Sequence, residues 1–299
     1  MIMSKFTATA LVVRHRHLPT LAALLAAVAV LSAPATAGAE TVTDYFSAPV
    51  AGDARTFNHS AWDRLLTKYV VPGDDGVNRV DYAKWQGADH KPLKDYVNDL
   101  QSFDPRSLGR TEQFAYWANL YNAKTIDVVL DNYPLDSIRE ISIDEGLFGF
   151  LKKSVGAGGP WKAKILRVAG HELSLDDIEH EIMRPIFKDP RVHYAVNCAS
   201  FGCPNIGREA LTGSKLETQL DAAAREFINH PRGFSVDGGN IKASSIYQWF
   251  QADFGATEAG VLAHARKYAN DALRSKLEGK KTIGSYGYDW SLNNIQRGS

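Results

Sequence analysis

Thr111-Glu-Gln-Phe-Ala-Tyr-Trp-Ala-Asn-Leu-Tyr-Asn-Ala-Lys-Thr-Ile-Asp-Val-Val-Leu-Asp-Asn-Tyr-Pro134 sets the architecture. At 100° per residue, Phe114, Trp117, Ala118, Tyr121, Thr125, Val128 and Val129 fall on one broad apolar arc, the mark of a helix. Thr111 is placed to cap it, and Asn132-Tyr133-Pro134 stops it near Asp131. Working outward, further helices carry start signals. Ser60 with Asp63 precedes Trp62, Leu65, Leu66 and Tyr69 on one face, and Ser174 with Asp177 precedes Ile178, Ile182 and Met183. Ser214 with Glu217 opens a helix through Leu220, Phe227 and Ile228 that Pro231 closes, and Thr257 opens another to about Tyr268. Strand-like runs are short, at 165–168, 192–197, 234–236, 241–243 and 282–288, with Asp237-Gly-Gly-Asn240 turning a hairpin between two of them. Helices outnumber strands and do not alternate with them. The class expected is therefore α+β, a helix-rich single domain around a small mixed or antiparallel sheet.

The 299 residues are 44% hydrophobic and 23% charged, which excludes wholesale disorder, a collagen repeat or a disulfide-dense mini-protein. Lys5, Arg14 and Arg16 precede an apolar run from Leu21 to Leu31, followed by Ala35-Thr-Ala-Gly-Ala39. That is the pattern of a secretory signal peptide over 1–39, and its apolar run is too short to span a bilayer. Residues 40–299 are expected to form one domain, periplasmic or extracellular, with no integral membrane segment and no lipid anchor, since no cysteine lies near the cleavage site. Cleavage removes three cations, leaving 31 basic against 34 acidic side chains, a net of −3. Such a surface excludes nucleic acid as the expected partner.

Two motif-like strings carry no chemistry on their spacing. Val155-Gly-Ala-Gly-Gly-Pro160 lacks the Lys-Ser/Thr ending of a phosphate loop and reads as an ordinary loop. Asp253-Phe254-Gly255 spells a kinase tripeptide without the rest of the kinase signature, a coincidence on sequence alone.

Three segments hold residues that a plain core does not absorb. On the long helix, Asn122 falls inside the apolar arc, where a buried amide must find partners. It either ties down neighbouring backbone or faces a cleft as an oxyanion donor or orienter of a histidine. In Leu173-Ser-Leu-Asp-Asp-Ile-Glu-His-Glu-Ile-Met-Arg184, Glu179 lies between Leu175 and Met183 and turns toward the core, with His180 flanking it. Glu179 is either half of an ion pair, with an arginine as one candidate partner, or, like His180, a general acid/base. In Val192-His-Tyr-Ala-Val-Asn-Cys-Ala-Ser-Phe-Gly-Cys-Pro204, an apolar strand runs into a small-residue turn holding both cysteines. Strand alternation puts His193 on the face opposite Cys198. For a secreted chain a Cys198–Cys203 disulfide is the default, a nucleophilic Cys198 thiolate the sharper reading, and zinc disfavoured by the loose spacing.

These strings, namely 116–123, 173–180, 189–200 and 202–204, resemble the family catalogued as domain of unknown function 547. Val80-Asp81-Tyr82 and Tyr288-Asp-Trp-Ser-Leu-Asn293 look similar to its ends, so the resemblance covers about 60–293. It implies secreted bacterial relatives and, through eukaryotic members joined to glutaredoxin-type modules, thiol chemistry by association. It supplies no catalytic residue. Two functions follow as expectations. One is a thiol-centred hydrolase or acyl transferase using Cys198, with His193 or His180 as base, and Asn122 and Glu179 in support. The other is a non-catalytic envelope binding or assembly domain stapled by a Cys198–Cys203 disulfide. A redox role for the pair is a minor third. The substrate or partner, whether small molecule, peptide or protein, is not named by the sequence, and no cofactor or metal is expected.

Overall fold

The computed structural model describes residues 40–49, 55–143 and 159–295. The expected signal peptide, and the glycines at 156 and 158, lie outside them. The helices are α1 (Val42–Ser47), α2 (Ser60–Tyr69), α3 (Tyr82–Gln101), α4 (Arg110–Asn132), α5 (Arg184–Phe187), α6 (Val192–Ala195), α7 (Leu216–Asn229), α8 (Ile246–Trp249), α9 (Glu258–Tyr268) and α10 (Asp271–Leu277). A π-helical segment, Asp177–Met183, runs directly into α5. The strands are β1 (Val70–Pro72), β2 (Asn78–Val80), β3 (Leu166–Val168), β4 (His171–Leu173), β5 (Phe234–Asp237), β6 (Asn240–Ser244) and β7 (Ser285–Gly287). They form three small sheets rather than one. β1–β2 and β3–β4 are antiparallel hairpins, and β5–β6–β7 is mixed, with β7 parallel to β6. The class is α+β, as expected. No described helix is long and apolar enough to cross a membrane.

Helix α4 is the axis. Every side chain from Gln113 to Ala123 is buried, so the apolar arc read from the sequence understates it, and the helix is enclosed on all sides. It belongs to a large core built with α2, α3 and the π-helical segment, while α7, α8, α9 and β5–β7 enclose a second core. Helix α6 joins the two. Its Val192 and Ala195 belong to the first core and its Tyr194 to the second.

Several local expectations change. Residues 192–195 are a helical turn and only 196–197 are extended, so strand alternation does not separate His193 from Cys198. Packing on two cores at once suits a turn, which presents its side chains in several directions, better than a strand that has two faces. Gly109, not Thr111, caps α4, and Lys215, not Ser214, precedes α7. Asn58 accepts from the Ser60 N–H at 2.9 Å, ahead of α2. Helix α3 goes unread in the sequence because Gly87 and Pro92 look like breakers; it accommodates them with a kink at Asp89. Other signals held. Thr257 accepts from the Gly260 N–H at 3.0 Å, and Ser174 and Asp177 cap each other's N–H groups at 2.6 and 3.0 Å.

Candidate active site

Asn122 of α4 shapes the loop that follows α6. Its amide donates to the Ala195 carbonyl at 2.8 Å and accepts the Asn197 N–H at 2.7 Å. Asn197 in turn donates to the Pro204 carbonyl at 2.7 Å and accepts the Ala199 N–H at 2.8 Å. The C-terminal segment clamps the loop from the other side. Phe201 and Gly202 donate to the carbonyls of Ser291 and Asp289 at 2.7 and 2.8 Å, and Asn293 donates to that of Ala199 at 3.0 Å. Gly202 is required here, because a Cβ would stand 2.8 Å from the Asp289 nitrogen. Both faces of the Asn122 amide are therefore spent on backbone, and it does not line the cleft described next.

That cleft, about 190 Å³, is lined by Cys198, His193, His180 and Glu179, four of the five candidate residues from the sequence, Asn122 being the fifth, and by Cys203 as well. Trp161, Asp176, Trp249, Phe250, Tyr288 and Trp290 also line it. One wall is sulfur. The two cysteines are free thiols, their sulfurs 2.6 Å apart against roughly 2.05 Å for a disulfide bond. The staple expected from compartment is not formed. Its place is taken by hydrogen bonds. Cys203 Sγ receives the Cys198 N–H at 3.1 Å, the Ser200 hydroxyl at 3.4 Å and the Tyr288 hydroxyl at 3.0 Å. Burial would raise the Cys203 pKa, but donation from Cys198, Ser200 and Tyr288 outweighs it and lowers it to about 6. Cys198 goes the other way. Its proton is held by the hydrogen bond to Cys203, by burial, and by the charge Cys203 already carries.

Beside the sulfurs stands a charge network of fixed parts, of which His193 and Glu179 line the cleft. His193 Nε2 lies 2.7 Å from Asp253 Oδ2 and its Nδ1 3.5 Å from Glu179 Oε1. Phe250 stacks on the imidazole at 4.1 Å and 15°. Burial works against a charged His193, yet Asp253 and Glu179 together raise its pKa. The His193 bond, with Arg184 added, holds Asp253 well below the usual carboxylate range. Glu179 is lowered too, because His193, His180 and Tyr121 overcome its burial. Arg184 grips Asp253 with two bonds at 2.6 and 3.1 Å. Glu179 thus pairs with a histidine rather than an arginine, and the arginine reaches the same network one residue further along. The π-helical segment is what allows this. Its wider turn sets the Arg184 N–H on the Glu179 carbonyl, so Glu179 and His180 line the cleft while Arg184 reaches Asp253.

Asp253, Arg184, Tyr288 and Asp176 were missed as site residues. Asp253 stands 60 positions from His193, and its only sequence signal was the kinase-like string set aside as coincidence. Among the described residues, the single group spaced to hold a metal is His90, Asp127 and Asp131, and Lys94 and Lys124 already occupy the Asp127 oxygens at 2.7 and 2.8 Å. It fits a cation poorly.

Residues 105–228 match the family described as "Protein of unknown function, DUF547", in line with the sequence resemblance. The matched segment runs from before α4 to α7 and contains both cysteines, Glu179, His180, Arg184 and His193. Asp253, Trp249 and Tyr288 fall after it. No curated protein and no solved structure matches the chain.

Proposed function

We propose that the chain is a thiol-dependent acyl-transfer enzyme, a hydrolase or transferase, with Cys203 as the thiolate and Cys198 as the thiol that donates to it. The observation that carries the reading is a pair of unbonded thiols in a cleft, one of them supplied with enough donors to bring its pKa to about 6. A thiolate near neutral pH is a competent nucleophile. His193, bonded on both ring nitrogens to carboxylates, is a fixed cation that positions Glu179 and is not a free base. His180 lines the cleft and takes the proton-transfer role. The thiolate adds to a carbonyl carbon and a C–S bond forms. The leaving group departs with a proton from His180. Water or another acceptor then adds to the thioester, gives its proton to His180, and displaces the sulfur as thiolate. The leader-like 1–39 supports export, which a mature N-terminus at Gly38 or Glu40 would verify.

The test is the pH profile of iodoacetamide labelling, mapped by mass. The wild-type protein should label with a midpoint near pH 6 and a plateau above it. Cys198→Ala removes a donor and should move that midpoint upward, while Cys203→Ala should leave a slow, ordinary thiol. The burst of p-nitrophenolate that accompanies acetylation by p-nitrophenyl acetate should vanish in Cys203→Ala. Labelling that climbs without a plateau to high pH at both cysteines would sink the reading.

A further inference from the structure

Of the carboxylates in and beside the cleft, three are spoken for. Glu179 meets His193, Asp253 meets His193 and Arg184, and Asp177 meets Lys164 and the Ser174 N–H and hydroxyl. Asp176 is different. It lines the cleft half-buried, and among the described residues no N–H or O–H lies within hydrogen-bond distance of its carboxylate. His180 Nε2 lies 4.0 Å from its Oδ1. Lys162 adds to the field there from an exposed position.

The surroundings of Asp176 are aromatic and fixed. Its backbone N–H donates to the Trp161 carbonyl at 2.9 Å, and both residues line the cleft. Gly159 makes the seat. Its φ is +69°, and a Cβ there would collide with the Trp161 ring. Gly159 thus has a use, the placing of an indole. Trp161 meets Trp290 edge-on at 5.8 Å, and Trp249 lies against Trp290 and Tyr288 at 5.7 and 4.9 Å. Trp249 is nonetheless 47% exposed, an unusual position for so large an apolar ring. Rings of this rim already take cations, Arg139 over Trp290 at 5.2 Å and Arg184 over Phe250 at 5.0 Å.

We propose that the cleft mouth between Asp176, Trp161 and Trp249 binds a primary alkylammonium group, such as a lysine side chain. A carboxylate lacking its own donor answers the charge, and indole faces answer an ammonium and its methylenes. The size agrees. A volume of about 190 Å³ is little more than the roughly 150 Å³ that admits benzene, so an aminoalkyl chain fits and an oligosaccharide does not. The inference deepens the acyl-transfer reading, because an amine is a natural leaving group or acceptor for a thioester. It rests on that reading for the amine's role but not for its binding.

The experiment is a titration with n-pentylamine at neutral pH, followed by tryptophan fluorescence, on the wild-type chain and on Cys198→Ala/Cys203→Ala. Both should bind saturably with Kd of about 1–10 mM, as expected for so small a ligand. Asp176→Asn should weaken binding at least tenfold, Asp176→Glu less, and Trp249→Ala about fivefold. 1-Pentanol should bind at least tenfold more weakly than the amine. Equal binding of the alcohol, unchanged affinity in Asp176→Asn, no saturable amine binding by the wild type, or preferential binding of chitobiose would each overturn the inference. The labelling profile separates the two ideas. An acidic thiol without amine binding leaves acyl transfer standing and removes the amine, whereas amine binding beside inert thiols does the reverse.

Discussion

Asp127 and Glu179 are both buried acids on helical segments of the same core, yet they are neutralised in opposite ways. Asp127 is bonded by Lys94, Lys124 and His90 at 2.7, 2.8 and 2.9 Å. Lys94 is substantially exposed, so water can take its charge if the acid is lost. Glu179 depends chiefly on one buried imidazole that a stacked phenyl ring holds in place and that Asp253 also claims, with His180 and Tyr121 in support. The first arrangement has cations in excess and behaves as a strut. The second has charges that cannot relax, and it faces a cleft. A buried acid becomes informative about function when its partner is shared and immobile, rather than merely because it is buried.

The comparison breaks most visibly at His193. His193→Ala takes the imidazole from buried Glu179 while Asp253 keeps Arg184, and should cost about 3–5 kcal/mol in urea denaturation, whereas Asp127→Asn, whose partner Lys94 can turn to solvent, should cost about 1–2 kcal/mol. Equal losses would remove the distinction. Asn122→Ala comes next. It orphans the Asn197 N–H and the Ala195 carbonyl and should cost about 2 kcal/mol, with the Cys203 labelling midpoint moving upward as the loop loosens. A stability loss with an unmoved midpoint would separate the tie from the thiols. Gly202→Ala should cost about 1–2 kcal/mol, because its Cβ meets backbone at Asp289. It should also slow iodoacetamide labelling at neutral pH, which is the readout that a purely local strain would not move.

The smallest effect is in pH. The folded His193 pKa is raised, so its contribution is complete below the unfolded value of about 6.5 and is lost as pH rises through the folded one. The folded Asp127 pKa is lowered, so its contribution is present above about 3.9 and is lost as pH falls through the folded value. Melting temperatures should therefore decline on the alkaline side in the wild type and decline less in His193→Gln, while Asp127→Asn should flatten only the acid limb.

Legibility in the sequence followed distance along the chain. Glu179, His180, His193 and the cysteines stood out because each breaks a local apolar pattern, and the fold gathers all of them. The α+β class was equally readable from helix periodicity and short strands. What the sequence hid was long-range or irregular. Asp253 reaches His193 across 60 residues, and Tyr288 reaches Cys203 across 85, so no spacing rule connects them. The four-residue turn at 192–195 defied a strand reading because val-rich composition favours strands while packing between two cores favoured a turn. Which sulfur carries the charge was hidden as well, since it depends on donors from Ser200 and Tyr288 that only the folded loop supplies.

The segment around Tyr288 has a consequence for the order in which the site can form. Leu292 donates to the Asp136 carbonyl, the Asn293 carbonyl receives the Val80 N–H, and the same stretch brings Tyr288 onto the thiols. While these residues are still being added by the ribosome, the cysteines have neither their clamp nor the tyrosine donor. The acidity of Cys203 is thus acquired only after a residue 85 positions further along the chain has been made, and until then both thiols are ordinary ones.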